Sequence, residues 1–174
     1  VEKHLIPALD QVGADYEAGH AFLPQLLSAA QAAQAVFAVI QESMGEGDAV
    51  RKGKVIIATV KGDIHDIGKN IVKLMLESQN IDVIDLGVDV PAATFVQTAK
   101  EQNCQVICCS ALLTTTMDVM ADVVRCAKEA GIRDSVKIMV GGAVLTPEFA
   151  KEIGADFYAK DAKQSADIAK SILG

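Results

Sequence analysis

An α/β fold built on a parallel sheet is predicted by two features of the chain. From residue 54 onward, short apolar runs alternate with longer runs of helical periodicity. Glycine and polar residues also follow several of the apolar runs, as they do where parallel strands end. Alternating strands and helices are typical of a parallel sheet covered on both faces. Five such units favour a five-stranded, doubly wound sheet of the flavodoxin-like (Rossmann-type) class over a barrel.

The predicted elements of the α/β region can be placed in order. The strands are the short apolar runs Lys54–Val60, Val83–Leu86, Val106–Cys109, Lys137–Val140 and Asp156–Tyr158. The helices are the amphipathic runs Asn70–Ser78, Ala92–Glu101, Met117–Ala130, Pro147–Ile153 and Ala162–Leu173. In such sheets a ligand binds at the carboxyl ends of the strands, beside the point where the strand order reverses.

Two helical segments precede this region. Apolar residues recur at helical spacing over residues 1 to about 16 and 23 to about 44. Two helices cannot enclose a core alone, so we expect part of a helical bundle that caps the next domain. A polar, glycine-containing linker at 45–48 divides a cap at 1–47 from an α/β domain at 48–174. Because the chain opens inside a helical pattern, we expect it to be a piece of a longer protein.

Composition argues against several classes of partner. The net charge of −7, with no basic run and few aromatic residues, disfavours nucleic acid. No apolar run approaches the ~20 residues of a membrane span, and no signal segment opens the chain. We therefore expect a cytoplasmic protein without a membrane partner. None of the four cysteines forms a C-x-x-C pair, which favours buried reduced thiols over a zinc site or disulfides: Cys104, Cys108, Cys109 and Cys126.

The most informative motif follows the first predicted strand. Asp63 and His65 lie two residues apart in an extended turn, so their side chains can face the same way. A carboxylate beside a ligating imidazole fixes the orientation and tautomer of the ring. Gly68 leaves room for a bulky group at the start of the next helix. A surface-loop histidine, with Asp63 or Asp66 capping that helix, would account for the same residues taken alone.

Other strand ends carry matching features. Ser110 follows the third strand, and Gly141 and Gly142 follow the fourth. A hydroxyl there can bond a polar group of a ligand, and a double glycine lets a planar group lie on the backbone. With the turn after the first strand, they predict a deep slot between strands one, three and four. The threonines at 114–116 add hydroxyls beside it, and at least one is expected to cap the following helix.

The combined motif resembles the signature of cobalamin-binding domains that hold B12 in the base-off/His-on form: Asp63-x-His65-x-x-Gly68, Ser110-x-Leu112 and Gly141-Gly142. Residues 58–70 are closely similar to the B12 domain of cobalamin-dependent methionine synthase. They are equally similar to the small corrinoid proteins of methyltransferase systems. The resemblance spans essentially the whole chain.

The resemblance implies roles for the matched residues. His65 would be the lower axial ligand of the cobalt, in place of the corrinoid's own base. Asp63 would hydrogen-bond His65, and Thr116 would complete the relay. No residue is expected to act as an acid–base catalyst. The remaining cobalamin contacts implied around the cobalt ligand and along the slot for the nucleotide tail are Gly62, Ile64, Asp66, Ile67, Gly68, Ser110, Leu112, Thr114, Gly141, Gly142 and Ala162.

The resemblance also assigns contacts to the helical segments. Tyr16 and Leu23 fall where the cap of this family covers the upper face of the corrin. Glu2 falls at a polar contact to the same face. Ordinary helix packing is the alternative interpretation of Leu23.

The function implied is that of a methyl carrier. Cobalt in this family alternates between Co(I) and methyl-Co(III), taking a methyl group from a donor-specific methyltransferase and passing it to an acceptor methyltransferase of the folate or thiol type. A reductive activator is a further implied partner. The chain looks most like stand-alone corrinoid proteins that serve methylamines, methanol, methoxylated aromatics or glycine betaine.

Other classes share parts of the pattern. An adenosylcobalamin-binding sensor and an excised B12 domain of methionine synthase both fit the motif. Adenosylcobalamin mutases share it but lack this helical cap. A two-component receiver domain shares the fold, but it should carry an aspartate at the end of strand three, where this chain has Ser110.

Overall fold

A computed structural model describes residues 4–44 and 51–174 of the chain. Glu2 and the predicted boundary between residues 47 and 48 lie outside the described residues. The helical pair consists of α1 (Leu5–Glu17) and α2 (Leu23–Met44). The α/β region then runs β1 (Lys54–Val60), α3 (Ile67–Ser78), β2 (Asp82–Val90), α4 (Ala92–Gln102), β3 (Val106–Ser110), α5 (Val119–Glu129), β4 (Lys137–Gly141), α6 (Pro147–Glu152), β5 (Phe157–Ala159) and α7 (Ala162–Leu173).

The sheet is five-stranded and parallel throughout, in the order β2-β1-β3-β4-β5. The flavodoxin-like class predicted from the alternating pattern is therefore confirmed. The chain moves one way from β1 to β2 and the other way from β3 onward, so the strand order reverses between β1 and β3. Ile57, Cys108 and Met139 are aligned across β1, β3 and β4. The predicted slot between these three strands thus lies at the switch point.

Side-chain alternation divides the core into two layers. One set of strand residues, including Ile56 and Ile107, packs with α4, α5 and α6 around Phe95 and Met120. The opposite set, including Ile57, packs with α3 and α7. Because both faces are covered, the strands read as continuous apolar runs in the sequence.

The helical pair forms a further layer outside α3 and α7. Leu26 and Ala30 of α2 are buried in the same cluster as the sheet residues on that side. Leu9 and Ala33 pack α1 against α2. The pair is therefore joined to the α/β region through apolar contacts.

Ion pairs connect α1 to α7 at the edge of this layer. Lys170 lies 3.2 Å from Asp10, and Lys163 lies 3.6 Å from Glu17. A Cβ at Gly13 would lie 2.5 Å from Cε of Lys163. Glycine at this position therefore lets the lysine stem cross α1.

Some element boundaries differ from the predicted ones. Strand β2 extends to Val90 instead of ending at Leu86, because the register with β1 shifts twice and Gly87 adopts a φ of +88°. Helix α5 begins at Val119, two residues later than predicted. The expectation that a threonine caps this helix is wrong: Asp118 occupies the N-cap without a side-chain cap bond, and the Thr116 hydroxyl points elsewhere.

Two expectations from composition, on cysteine burial and on membrane-spanning helices, can be compared with the structure. Cys104, Cys108 and Cys109 are buried, as predicted, whereas Cys126 is half-buried. In the stretches 4–44 and 51–174, no helix is long and apolar enough to cross a membrane.

Candidate functional site

A cavity of about 590 Å³ opens at the carboxyl ends of β1, β3 and β4. The turn after β1 and the start of α3 form one side of it, and the start of α7 forms another. The helical pair also contributes lining, through Tyr16, Leu23 and Leu26. A large, mostly apolar cavity at a switch point is the expected place for a cofactor.

Asp63 is the buried anchor of the turn after β1. Its Oδ1 accepts hydrogen bonds from the backbone N–H of His65 at 3.0 Å and pairs with the ring Nδ1 of His65 at 2.7 Å. Its Oδ2 accepts from the backbone N–H groups of Leu112 at 2.8 Å and Leu113 at 3.2 Å, and from the Thr116 hydroxyl at 3.0 Å. One carboxylate therefore joins the loop after β1 to the loop after β3.

These bonds determine the charge of Asp63. Burial alone would raise the pKa of the carboxyl. The hydrogen bonds from the His65 and Leu112 backbones, the His65 ring and the Thr116 hydroxyl outweigh burial and hold the pKa of Asp63 well below its usual range. Asp63 is therefore a carboxylate throughout the physiological pH range.

His65 is fixed at its backbone and at one ring nitrogen. The hydroxyl of buried Thr59 donates to the His65 carbonyl at 2.9 Å, and Asp63 engages Nδ1. The side chain is 47% exposed and lines the cavity. With Nδ1 engaged, Nε2 is the ring nitrogen left for a ligand. Histidines that bind metals are commonly oriented by a carboxylate in this way.

The surroundings of His65 fit the cobalamin that the sequence resemblance implies. Ile64, Ile67 and Leu112 line the cavity, and each exposes much of a large apolar side chain. Exposed apolar groups around one accessible ring nitrogen suit a flat macrocycle with a metal at its centre. A Cβ added at Gly68 would meet no atom within 4 Å, so the wall there leaves space for such a group.

The floor of the cavity is apolar and rich in sulfur. Ile57, Cys108 and Met139 form it from three adjacent strands. A Cβ on Gly142 would lie 1.8 Å from the Ala111 carbonyl oxygen, so glycine is required there for the loop after β4 to approach the end of β3. The hydroxyl of Ser110 has no hydrogen-bond partner within the described ranges and lines the same cavity. The predicted slot is present, and Gly142 also has a packing role that was not predicted.

The thiols of Cys108 and Cys109 are both held in the neutral form. Burial raises the pKa of Cys109 to about 12. Burial also raises the pKa of Cys108, and the neighbouring Cys109 adds to this effect. Both side chains therefore behave as small apolar groups.

A buried ion pair supports the start of α3. The Nζ of Lys69 lies 2.8 and 2.7 Å from the two carboxylate oxygens of Asp85 on β2, and the Lys69 side chain is 3% exposed. Burial opposes ionisation of Asp85, but the hydrogen bonds from Lys69 and the Gly87 backbone, with the charges of Lys69 and Lys73, hold its pKa below the ordinary value. The pair joins α3, which follows His65, to the sheet.

Most of the predicted contact residues line this single cavity: Tyr16, Leu23, Ile64, His65, Asp66, Ile67, Gly68, Ser110, Leu112, Gly141, Gly142 and Ala162. Asp63 and Thr116 lie behind His65 and are bonded to each other. Gly62 and Thr114 are outside the lining, although Gly62 packs near Thr116. Glu2 is outside the described part of the chain. Asp66 takes the N-cap position of α3 but makes no side-chain cap bond.

Sequence reasoning missed several residues of the site. Lys69 lines the cavity, although a lysine in the first turn of an amphipathic helix reads as a solvent-facing residue. Leu26 also lines the cavity, although its position in the sequence predicts only ordinary helix packing. The backbone N–H groups of Leu112 and Leu113 carry no signal in residue type. Ser110, Leu112, Thr114 and Thr116 were predicted as site residues of this loop, but the role of these N–H groups was not.

Comparison with known protein families agrees with this geometry. A family model described as a B12 binding domain matches residues 53–167, and a second model with the same description matches residues 1–41. Dimethylamine corrinoid protein 1 of Methanosarcina acetivorans is 44% identical over 174 residues, covering 99% of this chain and 82% of the relative.

Solved structures show the same fold and family. The methanol:cobalamin methyltransferase complex of Methanosarcina barkeri matches with a TM-score of 0.85 at 30% identity, over 99% of this chain and 66% of that chain. A cobalamin-binding protein from Desulfitobacterium hafniense matches with a TM-score of 0.84 at 31% identity, over 95% of this chain and 78% of that chain. The chain therefore belongs to the B12-binding family of corrinoid proteins, and cobalamin is its cofactor.

Proposed function

We propose that this chain is a methyl carrier that holds cobalamin base-off, with His65 on the cobalt. The single observation that carries the proposal is an imidazole fixed through Nδ1 by a buried carboxylate at an apolar cavity. Bound cobalamin would supply the chemistry, because its cobalt can accept a methyl group and release it again. The protein's residues orient the cofactor and tune the ligand.

The Asp63 network tunes His65. A hydrogen bond from Nδ1–H to a carboxylate raises the basicity of Nε2, the nitrogen proposed to bind cobalt. The Leu112 and Leu113 N–H groups and the Thr116 hydroxyl hold that carboxylate in place. The ring therefore needs no reorientation when the ligand bond forms or breaks.

The slot and the helical pair are proposed to complete the cofactor site. Gly68, Ser110, Gly141 and Gly142 would hold the nucleotide tail, because small residues line this part of the cavity. Tyr16 and Leu23 of the helical pair line the same cavity as His65. We infer that both contact the cofactor there. Gly62, Thr114 and Glu2 are retained as proposed contacts on the resemblance alone.

The proposed partners are methyltransferases. A relative of 44% identity is named a dimethylamine corrinoid protein, which favours a methylamine as the methyl source. A structural neighbour was solved in a complex with a methanol:cobalamin methyltransferase, which supports docking to a donor-specific enzyme. A folate- or thiol-type acceptor methyltransferase and a reductive activator complete the proposed system.

The ligand assignment is tested by EPR of the Co(II) form. The protein is produced with ¹⁵N-histidine and loaded with unlabelled cobalamin. An axial ¹⁴N splits each cobalt line into a triplet, whereas ¹⁵N splits it into a doublet. We expect a doublet, because the axial nitrogen would then come from the protein. A triplet would mean that the corrinoid's own base stays on the cobalt, and the proposal would be wrong.

Two variants make the test specific to His65. His65→Gly should remove the nitrogen splitting while cobalamin stays bound through the slot. His20→Ala is the matched control, since His20 is exposed in the turn between α1 and α2. Its loss should leave the doublet unchanged.

Methyl carriage is tested separately with a donor enzyme. The loaded protein is reduced and mixed with a dimethylamine- or a methanol-specific methyltransferase and the matching substrate. Loss of the Co(I) absorption with dimethylamine is expected. If neither methyltransferase lowered the Co(I) absorption, the carrier role would be contradicted.

A further inference from the structure

Helix α2 contributes a buried wall to the cavity. Leu26 is 2% exposed and packs in one cluster with Ile57, Cys108 and Met139. All four side chains line the cavity. The floor provided by the sheet is therefore completed by a residue from the helical pair.

The chemistry of this inner region is selective. Its side chains are apolar or sulfur-bearing, and Ala159 adds a further small apolar group. The Ser165 hydroxyl already donates to the Asp161 carbonyl at 2.9 Å, so it offers only an acceptor. Such a region suits a flat aromatic group with few hydrogen-bonding atoms.

The polar contacts that hold the helical pair are individually weak. Lys170–Asp10 and Lys163–Glu17 each include a half-exposed carboxylate, and Gln34 of α2 donates a hydrogen bond to Glu77 of α3. Surface ion pairs contribute about 0–1 kcal/mol each. Apolar contacts at Leu26 and Ala30 therefore carry a substantial part of the docking, and a group bound in the slot would add contacts to the same surface.

We propose that Leu26 is a specificity-determining residue for the nucleotide tail, and that tail binding and docking of the helical pair stabilise each other. The proposal rests on the proposed function, in which the tail occupies the slot. It adds that the helical pair is a wall of the tail site as well as a cover for the corrin. By reciprocity, the factor by which docking raises tail affinity equals the factor by which the tail favours docking.

The test compares cobalamin with cobinamide, the corrinoid that lacks the nucleotide tail. Hydrogen exchange is measured on the full chain loaded with each. The amides of residues 26–33 in α2 should exchange more slowly with cobalamin than with cobinamide. Equal protection by the two corrinoids would overturn the proposal, whatever the variants show.

Variants at Leu26 provide a second measurement. Leu26→Ala should weaken cobalamin binding by about tenfold, because it removes apolar contacts worth about 1.4 kcal/mol, and should change cobinamide binding by less than about twofold. Leu26→Met should restore most of the affinity, since it keeps the volume. Val39→Ala is the matched control on the same helix, because Val39 is 65% exposed.

The outcomes separate this proposal from the proposed function. An equal loss of affinity for both corrinoids, or no loss for either, would overturn the role of Leu26. The ¹⁵N-histidine EPR signal is recorded on the same samples. A missing doublet would overturn His65 as the cobalt ligand, whereas a doublet with equal protection would overturn only the tail-wall proposal.

Discussion

Asp63 should be the most costly polar residue to remove from the turn after β1. Asp63→Ala deprives the His65, Leu112 and Leu113 N–H groups and the Thr116 hydroxyl of their shared acceptor. A hydrogen bond to a charged acceptor contributes ~1.5–3 kcal/mol, and part of this loss is recovered by water at the loop surface. We expect the free energy of unfolding of the apo-protein to fall by about 3 kcal/mol.

Urea unfolding followed by circular dichroism measures this change. Asp63→Asn keeps one acceptor oxygen and should lose only about 1–2 kcal/mol. Asp66→Ala is the control, because exposed Asp66 accepts only the Asn70 side-chain amide, at 3.1 Å, and should change stability by less than ~0.5 kcal/mol. If Asp63→Ala cost no more than Asp66→Ala, the network would not hold the two loops together.

The same carboxylate predicts a pH dependence. The pKa of Asp63 is depressed in the folded state, so its stabilising effect is fully present above the unfolded pKa of about 3.9. That effect is lost as the pH falls from there toward the folded pKa. The stability difference between the wild type and Asp63→Asn should therefore stay constant at neutral pH and narrow as the pH falls below about 4. A difference that did not narrow there would contradict the depressed pKa.

Three further predictions concern the supporting residues. Thr116→Val should cost about 1 kcal/mol in urea unfolding while Thr116→Ser costs less, since serine keeps the hydroxyl; equal losses would indicate packing alone. Lys69→Met should destabilise by ~3–5 kcal/mol, because it leaves the Asp85 carboxylate without its buried partner, and Asp85→Asn in the same background should recover part of the loss. Gly142→Ala should prevent normal folding, because the added Cβ would lie 1.8 Å from the Ala111 carbonyl oxygen. Gly68→Ala should leave the stability of the apo-protein unchanged or slightly higher. It should weaken only cobalamin binding, as measured by titration.

The sequence was sufficient for the fold and for the position of the site. Strand-end residues at the switch point converge in any doubly wound sheet, so the sequence alone predicts that His65, Ser110 and Gly141 lie together. The spacing of Asp63 and His65 in an extended turn let their side chains face the same way, and the family resemblance implied the hydrogen bond between them.

The remaining features depend on contacts that periodicity does not encode. The N–H groups of Leu112 and Leu113 point at Asp63 because of the loop path, not because of their side chains. Thr116 has the composition of a helix cap, but a buried carboxylate 3.0 Å away gives its hydroxyl a stronger acceptor. Strand β2 continues past Leu86 through a register shift at Gly87, a position where glycine ordinarily indicates a turn.

The buried cysteines have a consequence for a protein proposed to carry methyl groups. A thiolate is the nucleophilic form of cysteine, and burial raises the pKa of Cys109 so far that its thiol stays protonated at neutral pH. Cys108, whose pKa is also raised, lines the cavity proposed to hold cobalamin. By burying these side chains among apolar neighbours, the fold protects its own sulfur from alkylation.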